Sequence, residues 1–141
     1  MMYTYKLAVI GLFLLITGCA PKGPSEELIS SNDCYKSTIN SKLESIQQYL
    51  TPQDYEDLSK ALARNYAMVS DHMLQKQRAD DITDPLGGIS AAAFNVDSSE
   101  KKAINSYKPI YMVLSRDTVN QKVSTYFQSQ IKSSLSICYG I

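Results

Sequence analysis

The sequence predicts an all-α fold, a small four-helix up-and-down bundle, and three observations carry that prediction. Apolar residues recur at three- and four-residue steps in four separate stretches, the period of one helix face. Helix-start signals precede these stretches. Two cysteines, Cys34 and Cys138, fall near the start of the first stretch and near the end of the last. Four helices return the chain to the end where it began, whereas three would leave these cysteines at opposite ends.

The first helix is expected from Asn32, with Ser31 or Asn32 as its cap and Tyr35, Ile39, Leu43, Ile46 and Leu50 on its buried face. Thr51-Pro52 signals a second start, because proline at the first helical position gives up no needed donor. Asp54 then lies in the first turn, where the helix dipole favours a negative charge. Tyr55, Leu58, Leu62, Tyr66, Val69 and Met73 carry this second helix to about Gln77.

Residues 79–96 interrupt the pattern with aspartates, Pro85, Gly87 and Gly88, and predict a long connection with an apolar part between helices two and three. Within it, Ala91–Phe94 could form a short helical turn capped by Ser90. Asp97 and Glu100 then resemble a capping box for a third helix. Ala103, Ile104, Tyr107, Tyr111 and Leu114 follow its spacing. Pro109 sits inside that stretch and predicts a kink, with a strand over Ile110–Leu114 as the alternative. Ser115 or Asp117 is expected to cap the last helix, on which Val119, Val123, Phe127, Ile131, Leu135 and Cys138 recur and Tyr126 and Ile137 widen the apolar face.

Ahead of the bundle, Lys6 and the terminal amine precede an apolar run from Leu7 to Ile16, interrupted only by Gly11. Such a run has the length of a signal h-region and falls short of the roughly 20 residues of a bilayer span. It closes as Ile16-Thr17-Gly18-Cys19, which resembles the lipobox of prokaryotic membrane lipoproteins. The resemblance covers residues 1–19 and implies a diacylglyceryl thioether on Cys19, cleavage before it and acylation, palmitate included, of the new amine. It thus implies a signal peptide over 1–18, a lipidated tether over 19–31 and a helical periplasmic domain over 32–141. Ala20, in place of aspartate, resembles the pattern of lipoproteins sent on to the outer membrane. The expected location is therefore that membrane, with the domain facing the periplasm or, alternatively, the cell surface. Ordinary secretory cleavage after Ala20 is the competing reading of the same residues.

Removal of residues 1–18 from the 141 leaves 123, enough for one self-sustaining core. It removes one of 14 basic side chains, Lys6, so 13 face 14 acidic ones. That balance excludes a strong field for nucleic acid. In an exported chain Cys34 and Cys138 are expected to form a disulfide, the alternatives being two buried thiols or a bridge to another chain.

Candidate chemistry is sparse. His72 beside Asp71 and near Ser70 lacks a nucleophile-elbow glycine pattern, and adjacent helical residues face different ways. Asp80, Asp81 and Asp84 do not match a calcium loop, and no thiol or imidazole cluster suits zinc. The expectation is a non-catalytic protein with no cofactor, no metal and no identified small-molecule substrate. The eight tyrosines after the leader are expected to pack mainly in the core, any surplus serving a protein partner. Leu86, Ile89 and Phe94 are the expected partner surface, or else a lid over the bundle.

Lipobox, tether, small helical domain and one disulfide are similar in general plan to the pilotins of secretion systems, though no pilotin motif is present. That similarity implies a non-catalytic adaptor or assembly factor, lipid-anchored in the membrane, that binds a protein partner of an envelope secretion or pilus machine. A groove between helices would then capture a peptide helix. The alternative is an exclusion, immunity or inhibitor lipoprotein acting on a folded envelope protein.

Overall fold

The computed structural model describes residues 23–81 and 88–141, with backbone alone for residues 88–94. Its elements are α1 (Glu26–Ile46), a 3-10 turn (Gln47–Tyr49), α2 (Pro52–Asp80), α3 (Gly88–Asn105), α4 (Tyr107–Leu114) and α5 (Gln121–Tyr139). α3 and α4 form one broken rod, so four helical rods pack against one another. No strand occurs among the described residues. α1 pairs with α5 and α2 with the α3–α4 rod, while α1 against α2 and α4 against α5 join the two pairs.

α1 begins six residues earlier than the apolar periodicity indicates. Ser25 Oγ accepts from the Leu28 backbone N–H at 3.1 Å, and Glu26 and Glu27 sit in the first turn, where the dipole favours them. Residues 26–31 are therefore helical, and the polar composition around Pro21 and Pro24 concealed the cap. Thr51 caps α2 as expected, accepting from the Asp54 N–H at 3.1 Å, with Pro52 at the first helical position. α2 is the longest element, 29 residues, or about 43 Å at the helical rise.

The expected long connection between helices two and three is shortened from its far side, because the backbone is already helical from Gly88. The three consecutive alanines at 91–93 have the highest intrinsic helix propensity, and the polar residues after them do not stop the helix. Asp97 and Glu100 consequently lie inside α3 rather than at its start. Leu86 lies outside the described residues. Ile89 and Phe94 fall on the early turns of α3, and their side chains lie outside what is described.

A kinked rod, not a strand, occupies residues 103–114, and its break is at Ser106 rather than at Pro109 itself. Proline lacks the N–H that would bond to the Asn105 carbonyl, and its ring collides with that carbonyl. The helix therefore ends at Asn105 and restarts at Tyr107, which places Pro109 in the first turn of α4, where the missing donor costs nothing. Ile104, expected in the core, is 58% exposed, because Ser99, Ala103 and Ser106 set the buried face instead.

The last helix starts later than Ser115 or Asp117 would place it. Residues 115–120 form turns, and Asn120 Oδ1 accepts from the Lys122 N–H at 2.8 Å. With that start, Val119, Phe127, Ile131 and Cys138 are buried, whereas Tyr126 and Ile137 project outward. Gly140 ends the helix in the left-handed conformation, φ 72°, which glycine adopts without a Cβ clash.

Leu58, Ile110 and Phe127 are wholly buried at the centre of the core. Full burial of one such side chain contributes about 1.5–3 kcal/mol. Among them runs a polar chain: the Tyr35 hydroxyl donates to Asn65 Oδ1 at 2.6 Å, Asn65 Nδ2 donates to Ser106 Oγ at 2.9 Å, and Ser106 Oγ donates to the Ala103 carbonyl. Burial pushes the Tyr35 phenol far above its ordinary range, so its proton remains available to Asn65. Six of the eight described tyrosines are buried or half-buried, Tyr49 and Tyr126 being exposed.

Cys34 and Cys138 are bonded, with their Cα atoms 5.6 Å apart. Their separation of 104 residues gives about 4.7 kcal/mol in the chain-entropy account, an upper figure. Reduction should lower the unfolding free energy by about 2–5 kcal/mol, read as a fall in the urea midpoint. An unchanged midpoint after complete reduction would contradict the bond's role.

Candidate functional site

Where α2 lies antiparallel to the α3–α4 rod, a furrow opens along their shared surface. On α2 it is lined by Asp57, Lys60, Arg64 and Met68, spaced at three and four residues on one stripe of the helix, with Ala61 beside Lys60. Lys102, Pro109 and Met112 face them from the other rod, and Arg116 from the turn after α4. Two adjoining hollows of about 250 and 350 Å³ share Arg64 and Pro109 and lie end to end along it. From Asp57 to Met68 it runs about 16 Å at the helical rise. The break at Ser106 brings Pro109 and Met112 to its margin.

Its apolar components include two methionines and a proline. Met112 is 71% exposed, beside Pro109 and the partly buried Met68. Methionine is flexible and polarisable, which suits a surface that accommodates a partner's side chains. The charged components divide into two groups. Lys60 pairs with Glu56 at 2.8 Å, and Arg116 Nη1 bridges Asp54 at 3.0 Å and Asp57 at 2.8 Å. Arg64 and Lys102, both exposed, enter no ion pair among the described residues.

Asp54 anchors one end of the furrow. It is buried, and its Oδ2 accepts from Thr118 Oγ1 at 2.6 Å while Oδ1 accepts from Arg116. Hydrogen bonding from Thr118 is the largest influence holding this carboxyl below the ordinary aspartate value, with Arg116 and Thr51 acting in the same direction. The Arg116 hydrogen bond likewise lowers Asp57. One guanidinium is therefore fixed at the furrow's end by two carboxylates from successive turns of α2.

A second cleft lies between α1 and α2, lined by Tyr35, Lys36, Ile39, Asn40, Leu62 and Tyr66 among others, with a volume of about 230 Å³. Lys36 Nζ lies 5.2 Å from the Tyr66 ring centre and partly closes it, a cation–π contact. That space suits one side chain rather than a helix.

His72, set beside Asp71 and Ser70 by the sequence, joins neither. Its Nδ1 lies 2.9 Å from Ser99 Oγ on α3, while Asp71 accepts from Gln75 and Ser70 donates to the Ala67 carbonyl. Ser99 Oγ also donates to the Val96 carbonyl at 2.9 Å. Burial lowers the His72 pKa, which favours the neutral ring. No group of three metal-ligating side chains occurs among the described residues.

Cys19 lies outside the described residues. No helix among the described residues is long and apolar enough to cross a membrane. Arg64, Met68, Lys102, Met112 and Arg116 escaped the sequence reading because they come from three helices and the turn after α4. The only signal was the three- and four-residue spacing of Asp57, Lys60, Arg64 and Met68 along α2. Compared with protein-family models, with curated proteins and with solved structures, the chain matches none of them.

The acid response follows from the two lowered carboxyls. Asp54 and Asp57 ionise more readily in the folded chain, so on acidification the unfolded chain takes up protons first. Their stabilisation is complete above the unfolded value of about 3.9 and is lost as pH falls through the lower folded values. Asp54→Asn should flatten the dependence of stability on pH below about 4, measured by urea denaturation across that range. An unaltered slope would remove Asp54 from the acid response.

Proposed function

We propose that this chain is a lipid-anchored, non-catalytic adaptor of the cell envelope that holds a segment of a protein partner in the furrow between α2 and the α3–α4 rod. The observation that carries the reading is the furrow itself, concave, about 16 Å long and with Met112 exposed at its margin. A concave strip of this length fits a helix or extended segment better than the broad face of a folded target. That favours an assembly factor, pilotin-like in plan, over an exclusion, immunity or inhibitor lipoprotein.

The lipobox-like Ile16-Thr17-Gly18-Cys19 supports the anchor. α1 starts at Glu26, seven residues after Cys19, so a lipid there would hold the bundle within about 25 Å of the membrane. The Ser25 N–H donates to Gln77 Oε1 at 2.8 Å, tying the tethered end to the late turns of α2. The furrow's Met68 end lies nine residues along α2 from Gln77, or about 13 Å. The likeness in general plan to pilotins makes a secretion or pilus machine of the outer membrane the setting of this proposal.

Two measurements test the proposal. Cells fed labelled palmitate should label the wild-type chain and leave Cys19→Ala unlabelled. A photoreactive residue in place of Met112 should crosslink to one envelope protein in cells, whereas the same residue in place of the exposed Ile137 on α5 should not. Label on Cys19→Ala would end the anchor reading, and crosslinks from Met112 to the lipid-processing machinery alone would end the adaptor reading.

A further inference from the structure

The furrow's charge points to the chemistry of what it holds. Its lining cations are Lys60, Arg64, Lys102 and Arg116, and with the carboxylates that pair with two of them, Glu56, Asp54 and Asp57, the balance is four against three. The whole chain carries 14 basic and 14 acidic side chains, so no general excess of positive charge would draw an acidic ligand to it. Lys60 and Arg116 are neutralised by Glu56, Asp54 and Asp57. The other two, Arg64 on α2 and Lys102 on α3, face each other across the hollow that holds Met68 and Pro109.

We propose that the furrow takes an acidic amphipathic segment of the partner, its apolar side chains against Met68, Pro109 and Met112 and its carboxylates against Arg64 and Lys102. The proposal rests on the adaptor reading and specifies the partner that reading leaves open. An amphipathic helix presents apolar residues in a stripe and charges to either side, which suits a hollow lined by Arg64 from one rod and Lys102 from the other with Met68 and Pro109 among them. Arg64 offers a planar fork that receives a carboxylate in bidentate fashion, whereas Lys102 acts as a point charge. The charges set orientation and partner choice, and the methionines supply contact area. An anionic membrane surface is a poorer occupant, because a planar bilayer meets the margins of a concave strip and not its floor.

The test uses the full chain as cells produce it, in detergent, and labelled amphipathic peptides of about four turns built from leucine, alanine and glutamate, with lysine replacing glutamate in a counterpart. Fluorescence anisotropy should show the acidic peptide binding and the basic one not, with affinity falling as salt rises. Arg64→Glu with Lys102→Glu should weaken the acidic peptide by about tenfold or more and give binding to the basic one, which also shows the variant to be folded. Equal binding of both peptides to the wild type, or an acidic-peptide affinity untouched by the charge reversal, would overturn the proposal. So would binding to anionic vesicles with neither peptide bound, or a concentration-dependent dimer that occludes the furrow. A partner crosslinked through Met112 by a basic or neutral segment would overturn the charge assignment while leaving the adaptor reading intact. Failure of the crosslink as well would remove both.

Discussion

Asn65 is the point at which three helical rods are held in register. Its side chain is fully buried on α2, accepts from Tyr35 on α1 and donates to Ser106 between α3 and α4. An amide in an apolar interior is costly unless satisfied, and displacing any one rod by a turn would leave a donor or acceptor without a partner. Leucine and isoleucine side chains around it tolerate several packings of similar energy. The hydrogen-bonded chain favours the one that satisfies it, as a buried polar residue fixes register in some helical cores.

The furrow depends on that selection. Ser106 is held where the α3–α4 rod must break, because Pro109 cannot continue the helix past Asn105. With the break fixed against Asn65, Pro109 and Met112 are turned toward Arg64 and Met68 on α2. At the other end Asp54, bound by Thr118 and Arg116, ties the turn after α4 to the first turn of α2. The furrow is thus pinned at Ser106 and, through Arg116, at Asp54. The disulfide acts elsewhere, closing α1 onto α5 on the remaining pair of rods.

Much of the bundle was legible because one helix face repeats. Tyr35, Ile39, Leu43 and Ile46, then Leu58 and Leu62, then Phe127, Ile131 and Cys138 are all buried as their spacing indicates. The Thr51-Pro52 start and the pairing of Cys34 with Cys138 were legible for local and topological reasons. Helix starts were less so. Ser25 was hidden among prolines and a glycine, and Asn120 competed with Ser115 and Asp117, equally good caps by residue type. Ile104 and Ile137 fit the apolar period yet lie outside, because the buried polar residues Ser99, Ser106 and Ser134 set the helix phase against them. Nothing in the spacing of Asn65, Asp54 or Ser99 marks them as buried, since their partners lie 41, 62 and 27 residues away. The furrow was illegible for the same reason. Its members are scattered over three helices and the turn after them, and they meet only once the rods are packed.

A double-mutant cycle between Tyr35→Phe and Asn65→Ala tests the buried hydrogen bond most directly. Unfolding free energies of the wild type, both single variants and the double variant should give a coupling of about 1 kcal/mol or more, the double variant being less destabilised than the sum of the singles. Strictly additive losses would show that the bond does not hold the rods together, and the register of the furrow would then need another cause.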